Sequence, residues 1–235
     1  MPPLRTVLIT ICLVLAGLST QAQQPAGPAQ APTVVFKLSW DKGLPWTDYT
    51  FTVNENGATH FKGTSNPADG GDSDPFEQDF TMSEANRQKI FEWAKAADYF
   101  QGQFETKTRN VAKTGAKTLE FHSPSLNSST TYNYSPNPNI QQLTDLFHAI
   151  ATTIDYGRKL TFQYRFDKLG MDARLKELVD LHAGGEAEEL QAIEPILRKI
   201  ADDDGIMHMT RSQARALLKS ANSDGSAAKS GSAQP

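Results

Sequence analysis

Cys12 is the only cysteine in the chain, and it lies inside an apolar leader. Whatever folds after that leader has no disulfide, no thiol nucleophile and no cysteine ligand for zinc or an iron–sulfur cluster. Burial of side chains alone must hold it together. Arg5 gives the leader a short positive start, and Val7 to Leu18 is apolar apart from Thr10 and Gly17. Ser19-Thr20-Gln21-Ala22 then places a small residue last and another two before it. This pattern predicts a secretory signal peptide over residues 1–22, cleaved after Ala22. The competing reading is an uncleaved anchor, but a bilayer span takes about twenty apolar residues and this run is shorter. More apolar residues follow Cys12, so a lipoprotein cleavage that leaves a terminal cysteine is not expected. The expected location is therefore secreted or periplasmic. Residues 23–32, rich in Pro, Ala and Gln, read as a flexible linker.

Cleavage would leave 213 of the 235 residues, enough for one large core or two small ones. No later stretch is apolar enough to cross a membrane, so no transmembrane segment is expected after cleavage. Net charge is −4, which speaks against a nucleic-acid partner, because phosphate binding needs a positive face. Lys107, Arg109, Lys113 and Lys117 form a local positive exception, read as a solvated loop.

The apolar spacing then divides the chain. From Val34 to Trp40 it alternates, with Val34, Phe36, Leu38 and Trp40 on one face. Tyr49 to Val53 alternates again, and Asn56-Gly57 signals a hairpin because both residues tolerate positive φ. A return strand over about 58–63 and a further strand over 76–82 follow. Ser83 reads as the N-cap of a helix carrying Ile90, Phe91, Trp93, Ala94 and Ala97. Residues 117–122 and 130–134 read as a second hairpin. From Asn137-Pro138, a cap and first-turn pair, the spacing turns helical through Ile140, Leu143, Leu146, Phe147, Ile150 and Ile154. Leu160 to Phe166 fits strand alternation and helical pairing alike, and its helical neighbours favour helix. Asp172 is expected to cap the next helix and Gly184-Gly185 to end it. Pro195 must kink a helix or start one. Thr210 and Gln213 have capping-box spacing for the last helix. Residues 221–235 read as a disordered tail.

The expected fold is α+β: a small, mostly antiparallel sheet with a packed helix, then an all-helical C-terminal region. The expected divisions are 33–156 for the α+β domain and 157–220 for the helical region. The string Tyr49 to Val53, Asn56-Gly57 and Phe61-Lys62-Gly63 resembles the opening hairpin of an uncharacterised family of secreted bacterial domains. That resemblance covers about 33–154. Tyr164 to Gly170 also resembles a segment of exported bacterial proteins of unknown role. The resemblance implies an α+β lobe and an envelope location, and no activity.

No chemistry announces itself. His60, His122, His148, His182 and His208 show no spacing that pairs two imidazoles, so no metal ligands and no cofactor are expected. Asp69, Asp72 and Asp74, like Asp202-Asp203-Asp204-Gly205, lack the spacing of a calcium loop and read as acidic turns. There is no nucleophile elbow, and Glu77 with Asp79 reads as a charged strand edge. No catalytic residue is assigned. Trp40 and Trp46 bracket a turn, and Tyr132 with Tyr134 shares a strand face. Either pair could stack on a sugar or peptide, or simply cap the core. The reading is a non-enzymatic envelope module that binds a protein, peptide or glycan through Trp40, Trp46, Tyr132 and Tyr134. The alternative is an extracytoplasmic hydrolase, or an inhibitor of one, with a site gathered from distant residues.

Overall fold

A computed structural model describes residues 31–40, 42, 45–67, 75–108 and 110–227. The leader, most of the linker and the Asp69–Asp74 loop lie outside the described residues. Six antiparallel strands form one sheet: β1 (Thr33–Ser39), β2 (Trp46–Asn54), β3 (Ala58–Ser65), β4 (Pro75–Thr81), β5 (Ala116–His122) and β6 (Asn127–Tyr132). Their order across the sheet is β4-β3-β2-β1-β5-β6. The fold is α+β, as the sequence predicts, and the two expected hairpins join into a single sheet through β1.

The β2–β3 turn forms at Asn56-Gly57, with Gly57 at φ +89. Alternation then sorts the faces. Phe36, Phe51, Phe61, Leu119 and Tyr132 point inward and are buried. The other face is polar and is knitted by cross-strand pairs, Lys37 with Glu120 at 2.6 Å and Lys62 with Glu77 at 2.7 Å. Such exposed pairs contribute about 0–1 kcal/mol each. They make that face soluble more than they hold it.

Helix α1 (Glu84–Ala96) starts where Ser83 Oγ accepts from the Asn86 amide at 3.3 Å. Helix α2 (Pro138–Phe166) starts where Asn137 accepts from the amides of Asn139 and Ile140. Both share one core with the inner sheet face. Phe147 stacks on Phe36 at 4.8 Å between ring centroids and on Phe51 at 5.3 Å. Helix α2 therefore crosses the sheet from Tyr132 on β6, past β1, to Trp46 on β2.

Leu160 to Phe166 is helix, the last turns of a continuous 29-residue α2. The expected boundary after residue 156 falls inside this helix. Ile154 belongs to the sheet core, whereas Tyr156 and Leu160 belong to a second core shared with the C-terminal helices. Those helices are α3 (Met171–Ala183), α4 (Glu194–Asp202) and α5 (His208–Ala227), with a 3-10 turn at Leu190–Ile193. Pro195 starts α4. Gly184 and Gly185 end α3, with Gly185 at φ +75. Two expected caps differ. Gly170, not Asp172, caps α3, and Thr210 lies within α5, fully buried. The two side chains meet instead, Thr210 Oγ1 donating to Asp172 Oδ1 at 3.2 Å. Helix α5 also continues past Ser220, through the buried Ala221 to Ala227, and residues 228–235 of the expected tail lie outside the described residues.

Glu189 locks the two cores together. Its buried carboxylate accepts from the Ser83 backbone amide at 2.8 Å, the Ser83 hydroxyl at 2.6 Å and the Asn86 amide at 2.7 Å. These bonds and the positive end of α1 offset part of the cost of burying the carboxylate, which still raises its pKa. Gln78 on β4 adds a bond to the Ala192 carbonyl in the 3-10 turn.

Candidate functional site

Beyond the last residue of β1 the chain reaches Trp40, whose amide still bonds to the Thr47 carbonyl at 2.7 Å. Three depressions meet around this half-buried indole. They lie at the sheet end where β1 finishes, β5 starts and β6 finishes. One, of about 280 Å³, lies between Trp40, Lys117 and Tyr134 and the α2 residues Gln141, Asp145 and His148. A wider one, of about 980 Å³, opens between Trp40 and the loop before β5, with Lys42, Glu105, Asn110 and Lys113 in its walls. The smallest, of about 110 Å³, runs from Trp40 to Trp46 and Ala151.

Two residues let the loop close on Trp40. Gly115 has φ +96, and a Cβ there would stand 2.7 Å from the Trp40 Cβ. No other residue fits that approach without moving the indole. Asn133 is the hub. Its Oδ1 accepts from the Thr114 amide at 2.7 Å, its Nδ2 donates to the Ala112 carbonyl at 2.9 Å, and its backbone N–H donates to Glu105.

Lys117 corrects a sequence reading. Instead of lying in a solvated loop, it is 5% exposed on β5. Its ammonium donates to the Asn133 carbonyl at 2.9 Å, and to the Thr114 hydroxyl at 2.9 Å and carbonyl at 3.2 Å. Burial lowers its pKa from the usual lysine range. On α2, His148 Nδ1 lies 2.8 Å from the Tyr49 hydroxyl. Burial, aided by the charge on Lys117, lowers its pKa to about 4, so the imidazole is neutral near pH 7. Burial also raises Tyr49 well above the usual phenol range. Burial raises the pKa of Asp145 as well.

The four aromatics picked from the sequence divide. Trp46 is 2% exposed, edge-on to Phe61, with its Nε1–H bonded to the Ala151 carbonyl at 3.2 Å and Arg158 over its ring. Tyr132 is buried, its hydroxyl 2.7 Å from Thr144 Oγ1. Neither has an open ring face, because the inward side of each strand is committed to the core beneath α2. Trp40 and Tyr134 remain at the surface, with Tyr134 44% exposed.

The other candidates lie apart. His60 meets Asp79, and His122 meets Glu120, on the open sheet face. His182 bonds to the Ala187 carbonyl, and His208 opens α5. Among the described residues no three His, Cys, Asp or Glu side chains gather to hold a metal. Asp203 works within its turn, accepting from the Gly205 amide, Tyr164 and Lys168. These bonds lower its pKa to about 2.

No protein-family model and no curated protein matches this chain. Among the described residues no helix is long and apolar enough to cross a membrane.

Proposed function

We propose that this protein is a non-enzymatic binding module, exported to the cell envelope, that takes an oligosaccharide in the groove around Trp40. One observation carries the reading: depressions on three sides converge on a half-buried indole amid side-chain amides and hydroxyls. An indole face suits the apolar face of a sugar ring, and Gln141 Oε1 with the second Nδ2 hydrogen of Asn133, left over from their bonds to Ser135 and Ala112, suit its hydroxyls. The leader over residues 1–22 supports the location.

Most of the groove's polar groups favour holding over turnover; Asp145, whose pKa burial raises, is the lining carboxyl that the hydrolase alternative would use. A hydrolase needs an acid or base free to move a proton at the ligand. His148 is neutral and tied to Tyr49, the Lys117 donors are taken by Thr114 and Asn133, and the Tyr132 hydroxyl is paired with Thr144.

Retention of the protein on immobilised oligosaccharides of several classes tests the reading. At least one class retains the wild type, and Trp40→Ala weakens that binding about tenfold, the loss of one stacking contact of about 1.4 kcal/mol. No retention by any class, or retention untouched by Trp40→Ala, overturns it.

A further inference from the structure

We infer that the groove's ligand is an acidic oligosaccharide, a chain of sugar rings bearing carboxylates. This rests on the binding reading above and adds the charge of the ligand. The wider depression has Lys42 and Lys113 in its walls, both exposed. Among the described residues no carboxylate pairs with either, whereas Lys37 and Lys62 on the open sheet face are each neutralised by a glutamate. Lys117 adds a third positive charge at the junction with the narrower depression, held by neutral oxygens alone. Its donors are occupied, so it acts through its field, which a low-dielectric wall focuses into the groove. Glu105 is the carboxylate of the wider depression; it accepts from the Asn133 backbone N–H and keeps its charge, so the two exposed lysines outnumber it. A chain with net charge −4 thus keeps, among the described residues, two lysines without a carboxylate partner beside its half-buried indole.

Two anionic polymers could meet that charge, and the lining chooses between them. A single-stranded nucleic acid needs a succession of aromatic faces for its bases. The wider depression offers one accessible indole, Trp40, because Tyr132 is buried. Asn110, Asn133, Thr108 and Thr131 supply amide and hydroxyl groups instead, which match ring hydroxyls between carboxylates.

The test is calorimetric titration of the full chain with hexagalacturonate, neutral cellohexaose and a twelve-residue oligothymidylate, at low salt and at about 0.5 M salt. Hexagalacturonate binds at least tenfold tighter than cellohexaose and weakens with salt. Lys42→Glu with Lys113→Glu lowers its affinity about tenfold or more, since two exposed attractions become repulsions. Both side chains are exposed, and an unchanged urea midpoint certifies the variant's fold. Lys42→Gln with Lys113→Gln gives a smaller loss in the same direction. Equal binding of cellohexaose, or indifference to charge reversal, overturns the acidic ligand and leaves the binding reading standing. Tighter binding of the oligothymidylate overturns it in favour of nucleic acid. Binding of neither sugar overturns the acidic ligand, and retention across the other oligosaccharide classes then decides the binding reading.

Discussion

Gly157 sits in the interior of α2, where glycine costs a helix about 1 kcal/mol relative to alanine. On an exposed helix, Gly157→Ala would therefore stabilise. Here an added Cβ would stand 2.2 Å from Ile193 Cγ2 and 3.0 Å from Ile193 Cβ, in the 3-10 turn that covers this face. Contacts so far inside the usual carbon separation force backbone or rotamer shifts costing about 1–3 kcal/mol. The net expectation is destabilisation by up to about 2 kcal/mol, read as a lower urea midpoint. Ile193→Ala removes the offending Cγ2 but opens a cavity, costing about 2–5 kcal/mol alone. The double variant then costs less than the sum of the two by about 1–3 kcal/mol, because each change answers the other. Ile193→Val keeps Cγ2 and gives no such rescue. A stabilised Gly157→Ala protein, or strictly additive effects, would refute the packing of the 3-10 turn on α2 and with it the joining of the two cores.

Other outcomes follow from the same contacts. Burial raises the pKa of Glu189 above its unfolded value, so its protonated form favours the fold. Its contribution is complete below the ordinary glutamate range and is lost as pH rises through the raised value. The stability difference between wild type and Glu189→Gln should shrink with rising pH across that window, and a flat difference in urea melts contradicts it. His148 behaves oppositely. With a folded pKa of about 4 against about 6.5 unfolded, its contribution is present above about pH 6.5 and is lost as pH falls toward 4. An NMR titration of its ring should show a midpoint near 4, and one above 6 contradicts the burial. Trp46→Phe removes the indole N–H that donates to the Ala151 carbonyl and shrinks the aromatic face beneath Arg158, lowering stability by about 1–3 kcal/mol in denaturant melts.

Local signals in the sequence tell most of the fold. The Asn56-Gly57 turn, the Ser83 and Asn137 caps and the Gly184-Gly185 stop each act within a few residues, so their chemistry is written in adjacent letters. What depends on distant partners is not. The single antiparallel sheet is expected, but its strand order, with β1 between β2 and β5, has no local signal. Thr210 reads as a cap by spacing, yet its hydroxyl goes to Asp172, 38 residues away. The site shows the same division. Trp40 and Tyr134 stand out as aromatics near turns, but so do Trp46 and Tyr132, which the core absorbs. His148 and Tyr49, 99 residues apart, carry no sequence signal of their 2.8 Å contact. The one legible hint of the groove's charge is the run holding Lys107, Lys113 and Lys117. It looks solvated until Thr114 and Asn133 fold around Lys117.

The ligand groove around Trp40 can be tested on a single resonance. The chain has three tryptophans, and each gives one indole N–H signal in a proton–nitrogen correlation spectrum. Adding hexagalacturonate at low salt should move the Trp40 signal progressively to saturation. The Trp46 signal, held by the Ala151 carbonyl, and the Trp93 signal on α1 should stay in place. A Trp40 signal that does not move while the sugar binds elsewhere contradicts the assignment of the groove.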